Sequence, residues 1–125
     1  MLPSAVAYDS AGDLFFVDTN RNQVFEVSLA GVLTTVAGTG VQGFAGDGGA
    51  ATAAEFDSPQ GVAVSADGTV YIADTGNQRI RSITSGQVNT FAGTGLAGFS
   101  GDNGPASAAM VRQPTALAID GQGNL

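Results

Sequence analysis

The chain has 125 residues, with 19 glycines, eleven carboxylates against four basic residues, and neither histidine nor cysteine, for a formal charge of −7. That balance repels nucleic acid and anionic membrane surfaces. It also removes disulfides, thiolate nucleophiles, Ser-His relays and His-rich metal centres from consideration. No apolar run is long enough to cross a bilayer and no leader-like segment precedes the patterned sequence, so the chain as given is expected to be soluble.

From the N-terminus, Ala5–Tyr8 and Leu14–Val17 are apolar at nearly every position, which predicts two short strands covered on both faces. Asp18 and Thr19 then enter a turn, and a glycine-rich stretch runs from Ala37 to Phe56. Its last residues, Ala50 to Phe56, have room for one or two helical turns before Pro59. Four further runs follow: Gly61–Ser65, Thr69–Asp74, Arg79–Thr84 and Gln87–Ala92. Ala66-Asp67-Gly68, Thr75-Gly76-Asn77 and Ser85-Gly86 separate them, and such residues supply the positive φ or the side-chain hydrogen bond that tight hairpins need. A second glycine-rich stretch spans Ala92 to Val111, and Thr115–Ile119 duplicates Ser4–Tyr8.

These elements are copies. Ala37–Phe56 and Ala92–Val111 are identical at twelve of 20 positions. Pro3, Pro59 and Pro114 are spaced by 56 and then 55 residues, as are Gly12, Gly68 and Gly123. Asp18 recurs as Asp74 and Asp47 as Asp102. Self-similarity of this length signals stacked modules. Residues 1–58 and 59–113 form two modules, and 114–125 opens a third with its first strand. Four antiparallel strands grading from buried to exposed, then repeated, predict an all-β fold built of β-propeller blades. A β-sandwich is the weaker alternative, because it does not demand so faithful a repeat.

The run P-x-G-V-A-V-x-x-D-G-x-V-Y-I-A-D-T-G-N-x-R-I from Pro59 to Ile80, followed by A-G-T-G-x-x-G-F-x-G-D-x-G-x-A, resembles the NHL repeat. The match is closest to the long bacterial variant with a G-D-G-G connecting loop, and it extends over essentially the whole chain. The resemblance implies a mostly six-bladed ring and an interaction platform for proteins, small ligands or, in some members, RNA. It implies an extracytoplasmic setting, and a few propellers of similar repeat are metal-dependent lyases or hydrolases. Module one departs from the pattern at Asp18-Thr-Asn-Arg-Asn-Gln-Val24: Arg21 stands where module two has Asn77, and Gln23 where it has Arg79.

Each candidate site has a plain competitor. G-T-G-x-x-G-F looks like a phosphate loop, but no long helix follows it and the chain has no lysine. Asp47 and Asp102 are calcium candidates, yet each loop offers one carboxylate where calcium needs six to eight oxygens. The favoured reading has them cap the glycine turns at Gly46 and Gly101 and fix the loop that leads to the next blade. Asp18 and Asp74 are read as serving their own turns rather than as a catalytic pair. Phe44 and Phe99 are expected to plug an apolar socket on the next blade. Arg79 and Arg81 share a strand face, where together with Arg21 or Glu26 of a neighbouring blade they are expected to form surface ion pairs or to take a binding role.

No catalytic residue and no cofactor is therefore expected. The leading reading is a non-catalytic platform that completes its ring with copies of itself, three copies giving six blades, or with blades of a longer chain. The alternative is a fragment of a propeller enzyme whose active residues lie on other blades. RNA binding ranks third, against the charge.

Overall fold

The computed structural model describes residues 3–125, which form two four-stranded antiparallel sheets. The first holds β1 (Pro3–Tyr8), β2 (Leu14–Asp18), β3 (Gln23–Val27) and β4 (Leu33–Ala37) in that spatial order. The second repeats it with β5 (Gly61–Val64), β6 (Val70–Asp74), β7 (Arg79–Thr84) and β8 (Gln87–Ala92). The meander follows from short β-rich runs joined by turn residues, and the fold is all-β, of β-propeller blades. The two sheets do not close into a ring.

The register shows which face of each sheet meets the other. Phe15, Val17 and Val24 share one face of the first sheet, since Val17 lies opposite Val24 and strand side chains alternate. Val62, Val70, Ile72, Ile83 and Val88 share a face of the second. These residues join with Ala51, Ala54 and Phe56 of the first glycine-rich loop in a single buried cluster, so the core lies between the blades. β5 packs on β1 and β2 at the inner edge. Full burial of one side chain the size of Ile72 contributes about 2 kcal/mol.

The outward faces differ from expectation in one respect. β5 is buried, but Val6 and Tyr8 of β1 are mostly exposed, so β1 is not covered on both faces. Their face is the one that β5–β8 turn toward the preceding blade, and no described residue precedes β1 with a sheet.

The expected strand at Thr115–Ile119 is also absent as a strand. The segment passes against the second blade, with the Thr115 carbonyl and Ala116 backbone beside Gly61, but it pairs with no strand among the described residues. Its hairpin turn is nevertheless formed. The Asp120 N–H donates to the Asn124 carbonyl at 3.0 Å and the Gly123 N–H to that of Asp120 at 3.1 Å. Asp9, Gly12 and Asp13 make the same bonds in module one, as do Ser65, Gly68 and Thr69 in module two.

Two clamps recur where one module meets the next. The Thr19 hydroxyl donates to the Pro59 carbonyl at 2.7 Å, and the Thr75 hydroxyl to that of Pro114 at 2.6 Å. The Asn22 side chain accepts the Ser58 N–H at 2.8 Å, and that of Gln78 accepts the Gln113 N–H at 2.6 Å. Replacing Thr75, which is buried, by valine removes the donor and leaves the Pro114 carbonyl unmet. The expected cost is about 1–2 kcal/mol in urea unfolding, with faster amide exchange across residues 114–124. Thr19→Val, at a half-buried site, is expected to cost less.

Candidate functional site

The glycine-rich loop of module one does not stay with its own blade. After β4 the chain turns at Gly46, whose φ of +98° and proximity to the Ala54 Cα, 2.8 Å from where a Cβ would sit, leave no room for a side chain. Gly101 repeats this with φ +89° against Ala109. A 3-10 turn at Ala51–Ala53 follows, shorter than a helix that could present phosphate-binding N–H groups. Between these points the loop lies along the edge of β8. The Gly48 N–H donates to the Val88 carbonyl at 2.7 Å, the Val88 N–H to that of Gly49 at 3.1 Å, and the Ala51 N–H to that of Gly86 at 2.8 Å. One module thus covers the exposed edge of the next, which would otherwise offer unpaired backbone groups.

Arg81 anchors the loop. It is fully buried, and β7 directs it toward the face that meets the preceding blade, level with Ile72. Its Nη1 donates to Asp74 Oδ2 at 2.9 Å and to the Glu55 carbonyl at 3.1 Å. Its Nη2 donates to Asp47 Oδ1 at 2.9 Å and to the Ala45 carbonyl at 3.1 Å, and its Nε also reaches Asp47 Oδ1. The guanidinium lies 4.7 Å from the Phe44 ring centre and 5.0 Å from that of Phe56. A buried cation persists only when its donors are met, and here they are met by the loop and by the blade's own Asp74.

These positions revise several expectations. Arg81 is no surface group, and its ion pairs are with Asp74 and Asp47 rather than in a surface set with Arg21 or Glu26. Arg79 is half-buried, 3.8 Å from the Phe44 ring, with its Nη2 donating to the Thr94 carbonyl at 2.9 Å. Phe44 therefore lies beneath two cations rather than in an apolar socket, and Phe99 is 86% exposed against 42% for Phe44. Asp47 does not cap its own turn: it accepts from Arg81 and, on Oδ2, from the Thr90 hydroxyl. Both oxygens are engaged, and among the described residues no three metal-ligating side chains converge. Asp102, its counterpart, is exposed.

Asp18 and Asp74 have unlike surroundings. Asp18 accepts the N–H groups of Asn20 and Arg21 at 3.1 Å in its own turn. Asp74 accepts from the Asp57 N–H, Asn77 Nδ2 and Arg81 Nη1, at 2.8, 2.8 and 2.9 Å. Burial pushes the Asp74 carboxyl above the ordinary range, and those three donors oppose it. The difference follows from module one's departures: Phe25 stands at the place of Arg81, Gln23 at that of Arg79 and Arg21 at that of Asn77. Phe25 instead stacks on Phe16, ring centres 5.3 Å apart. The cluster of Arg81 with Asp74 and Asp47 is not legible in the sequence because its members lie 34 and 7 residues apart. The readable signal was an arginine on the strand face shared with Ile83.

Comparison with known proteins agrees with this architecture. The NHL repeat family matches residues 56–81, the stretch from Phe56 through Arg81. Teneurin-1 of Mus musculus is 35% identical over 98 residues, a match covering 68% of this chain and 4% of teneurin-1. The chain therefore spans a small part of that relative. Two proteins of Bacteroides thetaiotaomicron have similar structures. One, of unknown function, has a TM-score of 0.73 at 26% identity, covering 84% of this chain and 26% of its own. The other, described as an auxiliary nutrient binding protein, has a TM-score of 0.72 at 20% identity, covering 94% and 32%. Virginiamycin B lyase of Staphylococcus aureus has a TM-score of 0.50 at 21% identity, covering 71% and 26%, and shares the fold only.

Removing Arg81 leaves Asp74 buried without its cation, so Arg81→Met is expected to cost about 3–5 kcal/mol in urea unfolding. Asp47 keeps a third of its side chain exposed, and Asp47→Asn is expected to cost about 1 kcal/mol. Equal losses for the two variants would contradict the central place given to the Arg81–Asp74 pair.

Proposed function

This chain is a segment of an NHL-repeat β-propeller, and from that premise we propose that it serves as a non-catalytic interaction platform completed into a ring by flanking blades. The observation that carries the reading is the arrangement of the two sheets. Their shared core lies between them, while the outward face of each leaves apolar side chains in water: Val6 and Tyr8 on one, Phe91 on the other. Such faces are buried in stacked-repeat proteins only by neighbouring repeats.

The carboxylates support the non-catalytic part. Asp18 and Asp74, at the ends of the second strand of each blade, are held by turn and ion-pair partners. Asp47 is held by Arg81 and Thr90. A general acid or base needs a carboxyl facing substrate, and these face the protein.

The flanking blades come from copies of this chain, three of which supply six blades, or from further repeats of a longer chain. Light scattering across a concentration series tests this. A concentration-dependent rise in mass toward a trimer supports completion by copies, and a cooperatively folded monomer at every concentration contradicts the need for flanking blades. Stoichiometric metal in the purified chain, measured by elemental analysis, would favour the enzyme-fragment reading instead.

A further inference from the structure

The loop of module two repeats the shape of the loop that holds Arg81, with no following blade beside it among the described residues. A cleft of about 460 Å³ is lined by residues that include Phe99, Ser100, Asp102, Met110 and Val111. They stand 55 positions after Phe44, Ala45, Asp47, Glu55 and Phe56, the five residues that module one places around the Arg81 guanidinium. Internal bonds of the two loops also coincide. Gly93 N–H to Ala106 carbonyl repeats Gly38 to Ala51, Gly104 to Gly101 repeats Gly49 to Gly46, and Met110 to Ser100 repeats Glu55 to Ala45. The second loop is thus folded in the receiving conformation, with Asp102 and Phe99 exposed.

We propose that this cleft is a socket for an arginine on the third strand of a further NHL-type blade, seated against the outward face of β5–β8 as Arg81 is seated against the loop of module one. Two features of the cleft select a cation. Asp102 supplies the carboxylate that Asp47 supplies to Arg81, and the Ser100 and Met110 carbonyls stand where those of Ala45 and Glu55 accept from it. Phe99 supplies an aromatic face, as Phe44 does. Val111 replaces Phe56, so the socket keeps one ring rather than two. Arg112 replaces Asp57, whose carboxylate lies against Gly76 rather than at the guanidinium.

The first blade of a second copy can cover this face but cannot fill the socket. That blade carries Phe25 at the place of Arg81 and Gln23 at the place of Arg79, so head-to-tail association of this chain would bury Asp102 against a phenyl ring. A blade built like module two satisfies it. The inference rests on the platform reading only for the premise that a blade covers this face.

The test extends the full chain. Residues 114–125 correspond to 59–70, so appending a copy of residues 71–113 after Leu125 completes a third module whose copy of Arg81 faces Asp102. In that protein Asp102→Asn is expected to lower the thermal midpoint by roughly 2–4 °C, as Asp47→Asn should at its own junction, and in the original chain, where Asp102 is exposed, by less than about 1 °C. Replacing the appended arginine by methionine should abolish the difference. The Asn103 amide, the counterpart of the Gly48 amide that bonds Val88, should become protected from exchange in the extended chain only. If Asn103 gains protection while Asp102→Asn has no added effect, a blade covers the face but the arginine assignment is overturned. If the extension brings neither protection nor stability, the socket and the covering blade both fail.

Discussion

A guanidinium sealed from water between two carboxylates is the constraint on which this structure turns. Arg81 can be buried only because Asp74, on its own blade, and Asp47, from the preceding module, both reach it, together with two backbone carbonyls of the loop. Neither module satisfies the cation alone. The pair therefore acts as a condition on assembly: β7 can direct its arginine inward only if the loop of the previous module lies along β8. Hydrophobic contact between the sheets would tolerate small slips, since it is not directional. A cation with several fixed acceptors does not.

The other junction contacts divide the work by location. Thr19 and Thr75 fix the inner end of each blade boundary through the carbonyls of Pro59 and Pro114, close to where the innermost strands pack. Asn22 and Gln78 hold the chain as it enters the next module. The loop residues Gly48, Gly49 and Ala51 fix the outer end, along β8. A blade is thus tied at both radial extremes, with the apolar cluster between. The arrangement is the same in kind at both boundaries except at the outer end of the second, where no β8-like edge lies along the loop among the described residues.

Much of this organisation was legible in the sequence. The period of Pro3, Pro59 and Pro114 gave the modules, and the alternation of apolar runs with glycine, asparagine and aspartate turns gave strands within one or two residues of those observed. What escaped were contacts between distant residues whose types are individually unremarkable. An aspartate in a glycine turn ordinarily caps that turn, and nothing local distinguishes Asp47, which reaches Arg81 instead. Arg81 carries a clearer local signal. It lies on the strand face shared with Ile83, so burial followed from alternation, and burial of a guanidinium demands a carboxylate. The coordinated loss of Arg79 and Arg81 counterparts in module one, at Gln23 and Phe25, was the accompanying clue. The strand expected at Thr115–Ile119 failed for a different reason: strand character is a property of a pair, and no strand lies beside it among the described residues.

The turn from Asp120 to Asn124 has a bearing on how such a chain comes to be ordered. Its aspartate gathers the N–H groups of Gln122 and Asn124 on one oxygen and the Asn124 amide on the other, all within five residues. Chain reversal is in place here with no sheet beside it. Each repeat would then begin with its bend preset by a side-chain caliper, and strand pairing would start from a fixed alignment rather than search for one. For a protein assembled wedge by wedge, that makes the earliest step short-range and quick, and leaves the slower search to the docking of finished wedges.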